Sequence, residues 1–357
     1  MLSFLHSRNR IDVVVPGEKI FSHSMRESWR IHLEKAGITH QWLPWNPGQE
    51  AVVASKLAKA GVVILLNDHH LGKLVSYLEN AENFGRGRDS RAWIGVSTER
   101  VIGSPFPNSE EKTRACARLC HLMAHFDPAA GNLILEEGAE AIFMHQYADA
   151  LTFNSETPFD RKTGGVLWVG KLPDGQTPKE YESRRHCFEA IRRLNGFFWR
   201  EACQPDLPIR KIVRERDSYQ ALLNLPSNCP GYTSTFFEHL VMGAVVLQYR
   251  TGTPLPEGLQ PGKHFLEYDP DRPKELVSLV RTVADNPSRY QEMAQQARQE
   301  CLAKHTLALR LESLFQKASL CLSGRRVDGV DQVTVHLLER AKDKITRMLE
   351  KEKFHAR

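Results

Sequence analysis

Between Asn224 and Tyr249 the chain reads Leu-Pro-Ser-Asn-Cys-Pro-Gly-Tyr-Thr-Ser-Thr-Phe-Phe-Glu-His-Leu-Val-Met-Gly-Ala-Val-Val-Leu-Gln. The pattern predicts a strand ending in a Pro/Gly/Ser/Thr-rich loop, a helix opening from that loop, and a turn at Gly243 into the next strand. Tyr232, Thr233 and Ser234 then fall at a helix N-terminus, where unpaired N–H groups and the helix dipole favour an anion such as a pyrophosphate. Glu238 lies about one turn further in, within reach of a sugar hydroxyl while the pyrophosphate sits at the cap. A capped helix with a Glu in its second turn also occurs in any α/β protein, so these residues alone leave a purely structural role open.

Chemistry in the first half rests on isolated groups. His125 and Asp127 stand at the end of a predicted strand, and a histidine there could assist deprotonation of a hydroxyl, since its ordinary pKa lies near neutrality. Gly17 follows the first strand in a loop that continues through Ser22 to Ser24 and carries His23, a candidate contact residue. Asp68-His69-His70 could be a catalytic or metal pair, but Asn67-Asp68 also reads as a helix cap beside exposed histidines. Glu99 and Arg100, just past the fourth strand, have similar standing. Cys116 and Cys120, with His121 and His125 close behind, could suggest a metal site; the simpler reading is the apolar stripe of a buried helix.

Short apolar runs alternating with amphipathic segments position these groups, the signature of a parallel sheet covered on both faces. Strands are predicted at 13–15, 39–45, 61–66, 92–96, 121–126 and 140–144, with helices between them. Residues 152–165, polar and containing Gly164-Gly165, predict a linker. The rhythm then restarts with strands at 166–170, 209–213, 221–225, 244–249 and 265–268 and helices at 181–194 and 233–242. Three more helices fill the stretch from Pro273 to about Leu322. This predicts an N-terminal domain over 1–158, a C-terminal domain over 159–324 and a tail over 325–357. Ligands in such doubly wound sheets sit beyond the carboxyl ends of the strands.

Composition agrees with a soluble globular chain of about two domains: 357 residues, 41% hydrophobic and 25% charged. Global disorder and fibrous classes are excluded by the supply of Leu, Ile, Val and Phe and by only 23 Gly and 19 Pro. Seven scattered cysteines lack a disulfide framework and predict a reducing setting. The net charge of +5 is compatible with a phosphate-bearing ligand and does not predict nucleic-acid binding. No membrane span or secretory leader is visible, so a cytoplasmic location is expected.

The segment around Phe237-Glu238, its Gly243-Ala244 pair and the apolar strand after it resemble the donor-site helix of group 1 glycosyltransferases of the GT-B fold, in particular their spore-maturation-type branch. The residues beyond that strand are similar too: Pro261-Gly-Lys-His-Phe-Leu-Glu-Tyr-Asp269, Glu275-Leu276, Val280 to Val283, Asp285-Asn-Pro-Ser-Arg-Tyr290, and Ala294 to Thr306. Upstream, His125-Phe126-Asp127, Gly138-Ala139, Tyr147-Ala148-Asp149 and Val166 to Gly170 fit the same run. The resemblance extends from about Leu119 to Leu314.

It implies two Rossmann-like α/β domains facing a central cleft, and a hexosyltransferase-like enzyme moving a sugar from a nucleoside-diphosphate sugar to an acceptor hydroxyl. The donor-side residues it implies are Glu238 for the ribose, Tyr232, Thr233 and Ser234, and Lys171, Arg184 or Arg185 for the diphosphate. In these enzymes such cations replace a metal, so no metal and no cofactor beyond the nucleotide-sugar co-substrate is expected. A fixed cation stabilises the charge that develops on a departing diphosphate. His125 and Asp127 become the catalytic candidates, and Gly17 and His23 the acceptor-side ones. The acceptor itself, a glycan, a lipid-linked sugar or a small molecule, is left open.

Two positions depart from the family pattern. Many relatives carry an acidic residue eight positions before the ribose-binding Glu, where this chain has Pro230. Many in the branch carry an Arg shortly before Phe-Glu, where this chain has Tyr232-Thr-Ser-Thr235. They keep open a GT-B-shaped nucleotide- or sugar-binding protein without transferase activity, and a nucleotide-sugar epimerase on the same fold. The tail places Val327, Val333, Leu337, Leu338, Ile345 and Leu349 at helical spacings among basic residues, predicting an amphipathic helix. It could dock within the chain, pair with another subunit, or touch the inner face of a membrane.

Overall fold

A computed structural model describes residues 10–16, 23–57, 59–66, 71–81, 84, 91–98, 100–101, 108–155, 157–172, 182–201, 209–227, 231–324 and 332–355. The chain divides into two compact units, Met1–Met144 with Ala308–Arg357, and His145–Leu307. The sequence places the boundary at 158/159; the packing changes hands at Met144/His145. The reason is that residues 145–161 contribute Ala148 and Phe153 to the core of the second unit, and Ala148 forms a β-bridge to Thr306.

In the first unit six strands, β1 (Ile11–Pro16), β2 (His40–Trp45), β3 (Val62–Leu66), β4 (Ala92–Ser97), β5 (Leu122–His125) and β6 (Glu140–Phe143), form a sheet in the order β2-β1-β3-β4-β5-β6. Every pairing is parallel. Helices α1 (His23–Lys35), α2 (Glu50–Leu57), α3 (Gly72–Asn80), α4 (Ser109–Leu119) and α5 (Ala130–Glu136) connect them. Strand β3 is buried at every position, which is why it reads as an unbroken apolar run rather than an alternation.

The second unit has β7 (Thr163–Gly170), α6 (Glu182–Ile191), β8 (Phe197–Glu201), α7 (Ile209–Asp217), β9 (Tyr219–Leu223), α8 (Ser234–Val241), β10 (Val245–Tyr249), β11 (Leu266–Tyr268), α9 (Pro273–Asp285) and α10 (Gln291–Lys304). Its sheet runs β11-β10-β9-β7-β8, again all parallel. Alternate residues feed two cores: Val166, Trp168, Leu223 and Leu247 meet α6 and α9 on one face, while Leu167, Val169, Leu222 and Val246 meet α8 and α10 on the other.

Three local differences from the sequence reading have physical causes. The strand predicted at 209–213 is helix α7, because Ile209, Ile212, Val213 and Arg216 recur at helical spacing and the β-branched residues disguise it. Strand β8, unforeseen, fills the edge position instead. Gly164-Gly165, read as linker, lies within β7, where the pairing with β9 shifts between Thr163 and Val166.

Gly165 has φ +103°, and a Cβ there would stand 2.7 Å from the carbonyl oxygen of Gly196. Gly165→Ala is therefore expected to destabilise the second unit by about 2 kcal/mol or more, read as a lowered urea midpoint followed by Trp168 fluorescence. An unchanged midpoint would show that the bulge carries no strain for an alanine.

The last 50 residues return to the first unit as α11 (Leu307–Gly324) and α12 (Gln332–His355). Leu337, Leu338, Ala341, Ile345 and Met348 of α12 are buried, Lys344 donates to the carbonyl of Gly37, and Thr346 donates to Glu312 on α11. The apolar stripe that made the tail amphipathic is thus used in packing. Among the described residues no helix is long and apolar enough to cross a membrane.

Candidate functional site

In both sheets the strand order reverses once, between β1 and β3 in the first unit and between β7 and β9 in the second. The crevice outside the carboxyl ends at such a reversal is where doubly wound folds bind ligands. Gly170 and Lys171 end β7, and Leu223 and Asn224 end β9. Arg184, in the first turn of α6, spans the two ends: Nε donates to the carbonyl of Pro226 at 2.6 Å and Nη1 to the carbonyl of Lys171 at 3.0 Å. Lys171 and Arg185 are exposed. Below them, Asn224 donates to Gln248 at 2.9 Å and its carbonyl accepts from Tyr268 Oη at 2.7 Å, a polar layer tying β9 to β10 and β11. The reversal therefore carries three cationic side chains on a braced floor.

Helix α8 opens beside this point. Its eight residues are too few to be stable alone, so tertiary contacts must hold it. Phe236 to Val241 are all buried. Three polar anchors add to that packing. At the N-terminus Gln146 Oε1 accepts both the Ser234 N–H at 2.6 Å and the Ser234 hydroxyl at 2.9 Å. At the C-terminus Lys162 Nζ donates to the carbonyl of Met242 at 2.7 Å and pairs with Asp217 at 2.9 Å. In the middle Arg216 Nη1 donates to Glu238 Oε2 at 2.8 Å, with both side chains nearly covered.

Tyr232, Thr233, Ser234 and Glu238 thus come together at one helix, with different employments. Tyr232 is packed against Phe236 and Phe265, and burial pushes its hydroxyl up to about 12 against the opposing effect of a hydrogen bond with Thr251. Thr233 is the N-cap residue, and its side chain makes no cap hydrogen bond. Ser234 is held by Gln146. Glu238 is raised above the ordinary carboxylate range by burial, which Arg216 opposes. Its neighbour His239 is buried, and Nδ1 has no hydrogen-bond partner.

In the first unit His125 and Asp127 do not form an imidazole–carboxylate pair. His125 Nδ1 lies 2.7 Å from the backbone carbonyl of Asp127 and so carries the proton, leaving Nε2 as the acceptor. Burial depresses its pKa, with Asp127 opposing. The Asp127 carboxylate accepts the N–H groups of Val101 at 2.8 Å and Ala129 at 3.0 Å, bracing the loop. His23 begins α1, but its side chain lies outside the described residues, as do Gly17, Asp68, His69, His70, Glu99 and Pro230. Arg100 is half-buried. Cys116 and Cys120 are buried in the first unit's core with their sulfurs 3.9 Å apart.

Gln146, Lys162, Arg216 and Asp217, which hold α8 and one another, are anchors that the sequence does not announce. Only Arg216 left a signal: seven residues after Ile209, it falls on the apolar face of α7.

Residues 171–316 match the family described as Glycosyl transferase-like. No curated protein matches the chain. Among solved structures, Anabaena Alr3699/HepE in complex with UDP-glucose is 11% identical, with a TM-score of 0.58 over 88% of this chain and 100% of that one. A glycosyltransferase from Rickettsia africae ESF-5 is 10% identical, with a TM-score of 0.56 over 89% and 100%. An alpha-glucosyltransferase in complex with UDP and a 13-mer DNA is 8% identical, with a TM-score of 0.59 over 87% and 99%. Two parallel α/β units, matched along nearly their whole length by these structures, give this chain the GT-B fold, and its residues 171–316 are similar to the Glycosyl transferase-like family.

Proposed function

We propose that this protein is a glycosyltransferase of the spore-maturation-type branch that moves a sugar from a nucleoside-diphosphate sugar to an acceptor hydroxyl. One observation carries the reading: the Glycosyl transferase-like match begins at Lys171, just past β7, and runs through β9 and α8, so it covers Lys171, Arg184, Arg185, Tyr232 to Ser234 and Glu238 on a GT-B fold. The neighbours bound to UDP or UDP-glucose support a nucleotide donor.

In this reading Lys171, Arg184 and Arg185 meet the diphosphate in place of a metal. Arg184, already oriented by two carbonyls, needs little reorganisation to do so. Glu238 accepts from the ribose. His125 Nε2 takes the acceptor proton, and burial keeps that nitrogen unprotonated near neutral pH. Gly17 and His23 serve the acceptor, which is a glycan, a lipid-linked sugar or a small molecule.

Thermal shift with UDP, GDP and ADP and their sugars tests this. A nucleotide at a hundred times its dissociation constant stabilises by about 2.7 kcal/mol. Glu238→Ala is expected to abolish that shift, and Glu238→Gln, which keeps the volume, to reduce it. No shift with any nucleotide in the wild type sinks the reading.

A second reading is favoured by Gln146, which occupies the first N–H of α8 where a phosphate would sit, and by Pro230 in place of the acidic residue. It is a nucleotide- or sugar-binding protein without transfer. Release of sugar from a bound donor, by hydrolysis or transfer, separates the two, and an epimerase would interconvert free donors without an acceptor.

A further inference from the structure

We infer that Arg216 is a positioning residue that fixes Glu238 for recognition of a ribose hydroxyl, an inference that rests on the donor-binding reading above. Arg216 lies in the last turn of α7, on the opposite side of β9 in sequence from Glu238, and nothing in its position suggests a direct contact with a ligand. Its guanidinium is buried, with its carbon 5.9 Å from the centre of the Phe153 ring.

The geometry of the pair separates this role from simple bracing. An arginine and a carboxylate that serve only each other reach their strongest arrangement as a two-pronged fork. Here a single hydrogen bond joins Arg216 Nη1 to Glu238 Oε2, and Arg216 Nε is buried without a partner. Among the described residues nothing donates to Glu238 Oε1. One carboxylate oxygen is thus held and the other is left as an acceptor, on a side chain that keeps about 7% of its surface exposed.

Burying such a pair also costs desolvation of both ions, and an apolar pair of similar volume is often as stable or more so. An open carboxyl oxygen gives the arrangement a use that two apolar side chains could not supply. The other charged group acting on Glu238 is Asp149, whose Oδ1 accepts from Leu151 and Thr152; the next residue on α8, His239, is also titratable. Burial and Asp149 disfavour the charged form of Glu238 and His239 is held neutral, so Arg216 is the group that favours the carboxylate.

A carboxylate oxygen so held selects a neutral O–H donor. The expected consequence is preference for ribonucleotides over their 2′-deoxy forms, by about tenfold or more for one hydrogen bond to a charged acceptor.

The test is the ratio of dissociation constants for 2′-deoxy and ribo forms of UDP, GDP and ADP, measured by calorimetry on the wild type, Arg216→Gln and Arg216→Lys. The ratio should fall toward one in Arg216→Gln while circular dichroism and tryptophan fluorescence stay native, and should recover partway in Arg216→Lys. A folded Arg216→Gln that keeps the wild-type ratio overturns the inference and leaves the transferase reading standing. If Arg216→Gln does not fold, an unchanged ratio in Arg216→Lys overturns it equally. A wild type that binds none of the six nucleotides overturns the inference and the transferase reading together.

Discussion

Replacing Lys162 by Met is expected to destabilise the second unit by about 2–3 kcal/mol, the cost of taking a hydrogen-bonded ammonium from a half-buried carboxylate and from a backbone carbonyl. The Lys162 side chain is 1% exposed. Its ammonium is pushed down by burial and supported by Asp217. Burial also raises Asp217, but hydrogen bonds from Ser155, Lys162 and Thr157 outweigh that and hold it below the ordinary range. Removing the ammonium takes a hydrogen-bonded cation from Asp217, leaving Arg298 as the nearby positive charge, and takes a donor from the carbonyl of Met242.

The same substitution removes a cation from the C-terminal end of α8, where the helix dipole favours one. The C-terminal end of α8 would lose its tie to residue 162, so nucleotide affinity is expected to fall with stability. Urea unfolding followed by the fluorescence of Trp168 measures the first effect. The double variant Lys162→Met/Asp217→Leu should regain part of the loss, because it leaves no carboxylate short of a donor, although Arg298 then loses the support of Asp217. A single variant that loses less than about 1 kcal/mol would mean that water replaces the ammonium.

Acidification is the second large effect. Burial, aided by the positive charge of Arg216, holds His239 well below its ordinary value of 6.5, and burial lowers His125 as well. Each stays neutral in the folded chain while the unfolded chain binds a proton as pH falls through about 6.5. The unfolded state then carries more protons, so stability is full above about pH 6.5 and declines below it. The slope is about 1.4 kcal/mol per pH unit for each group until its folded pKa is reached.

Glu238 acts in the opposite sense. Its raised pKa means the folded chain holds the extra proton just above pH 4.5, so its own contribution falls as pH rises through that window. The His239 effect is isolated by comparison with His239→Leu. Between about pH 7 and 5 the wild type should lose about 1–2 kcal/mol more than the variant. Equal losses in both would show that His239 is protonated in the folded chain.

Much of the fold was legible in the sequence because a parallel sheet covered on both faces demands apolar runs, and the helices over it demand a period of about 3.6. The run at 62–66 and the return of the rhythm at Val166 could hardly be anything else. Helix α7 was not legible because Ile209, Ile212 and Val213 suit a strand by propensity, and only packing against the sheet decides between the two. The change of unit at Met144/His145 was not legible because residues 145–155 carry no periodic apolar pattern, although Ala148 and Phe153 are core residues.

For the site, residue types and local order in the sequence marked the candidate groups: a loop opening a helix after a strand, a Glu one turn in, cations past the end of an earlier strand. Tertiary structure decided what those groups are free to do. It set Arg184 across the reversal point, put Gln146 on the first N–H of α8, spent the Asp127 carboxylate on two backbone N–H groups, and paired Glu238 with Arg216. The partners Pro226, Gln146, Val101 and Arg216 stand 22 to 88 residues along the chain from the groups they meet. Hydrogen bonds of that range are fixed by the packing of whole elements, and local spacing carries no record of them.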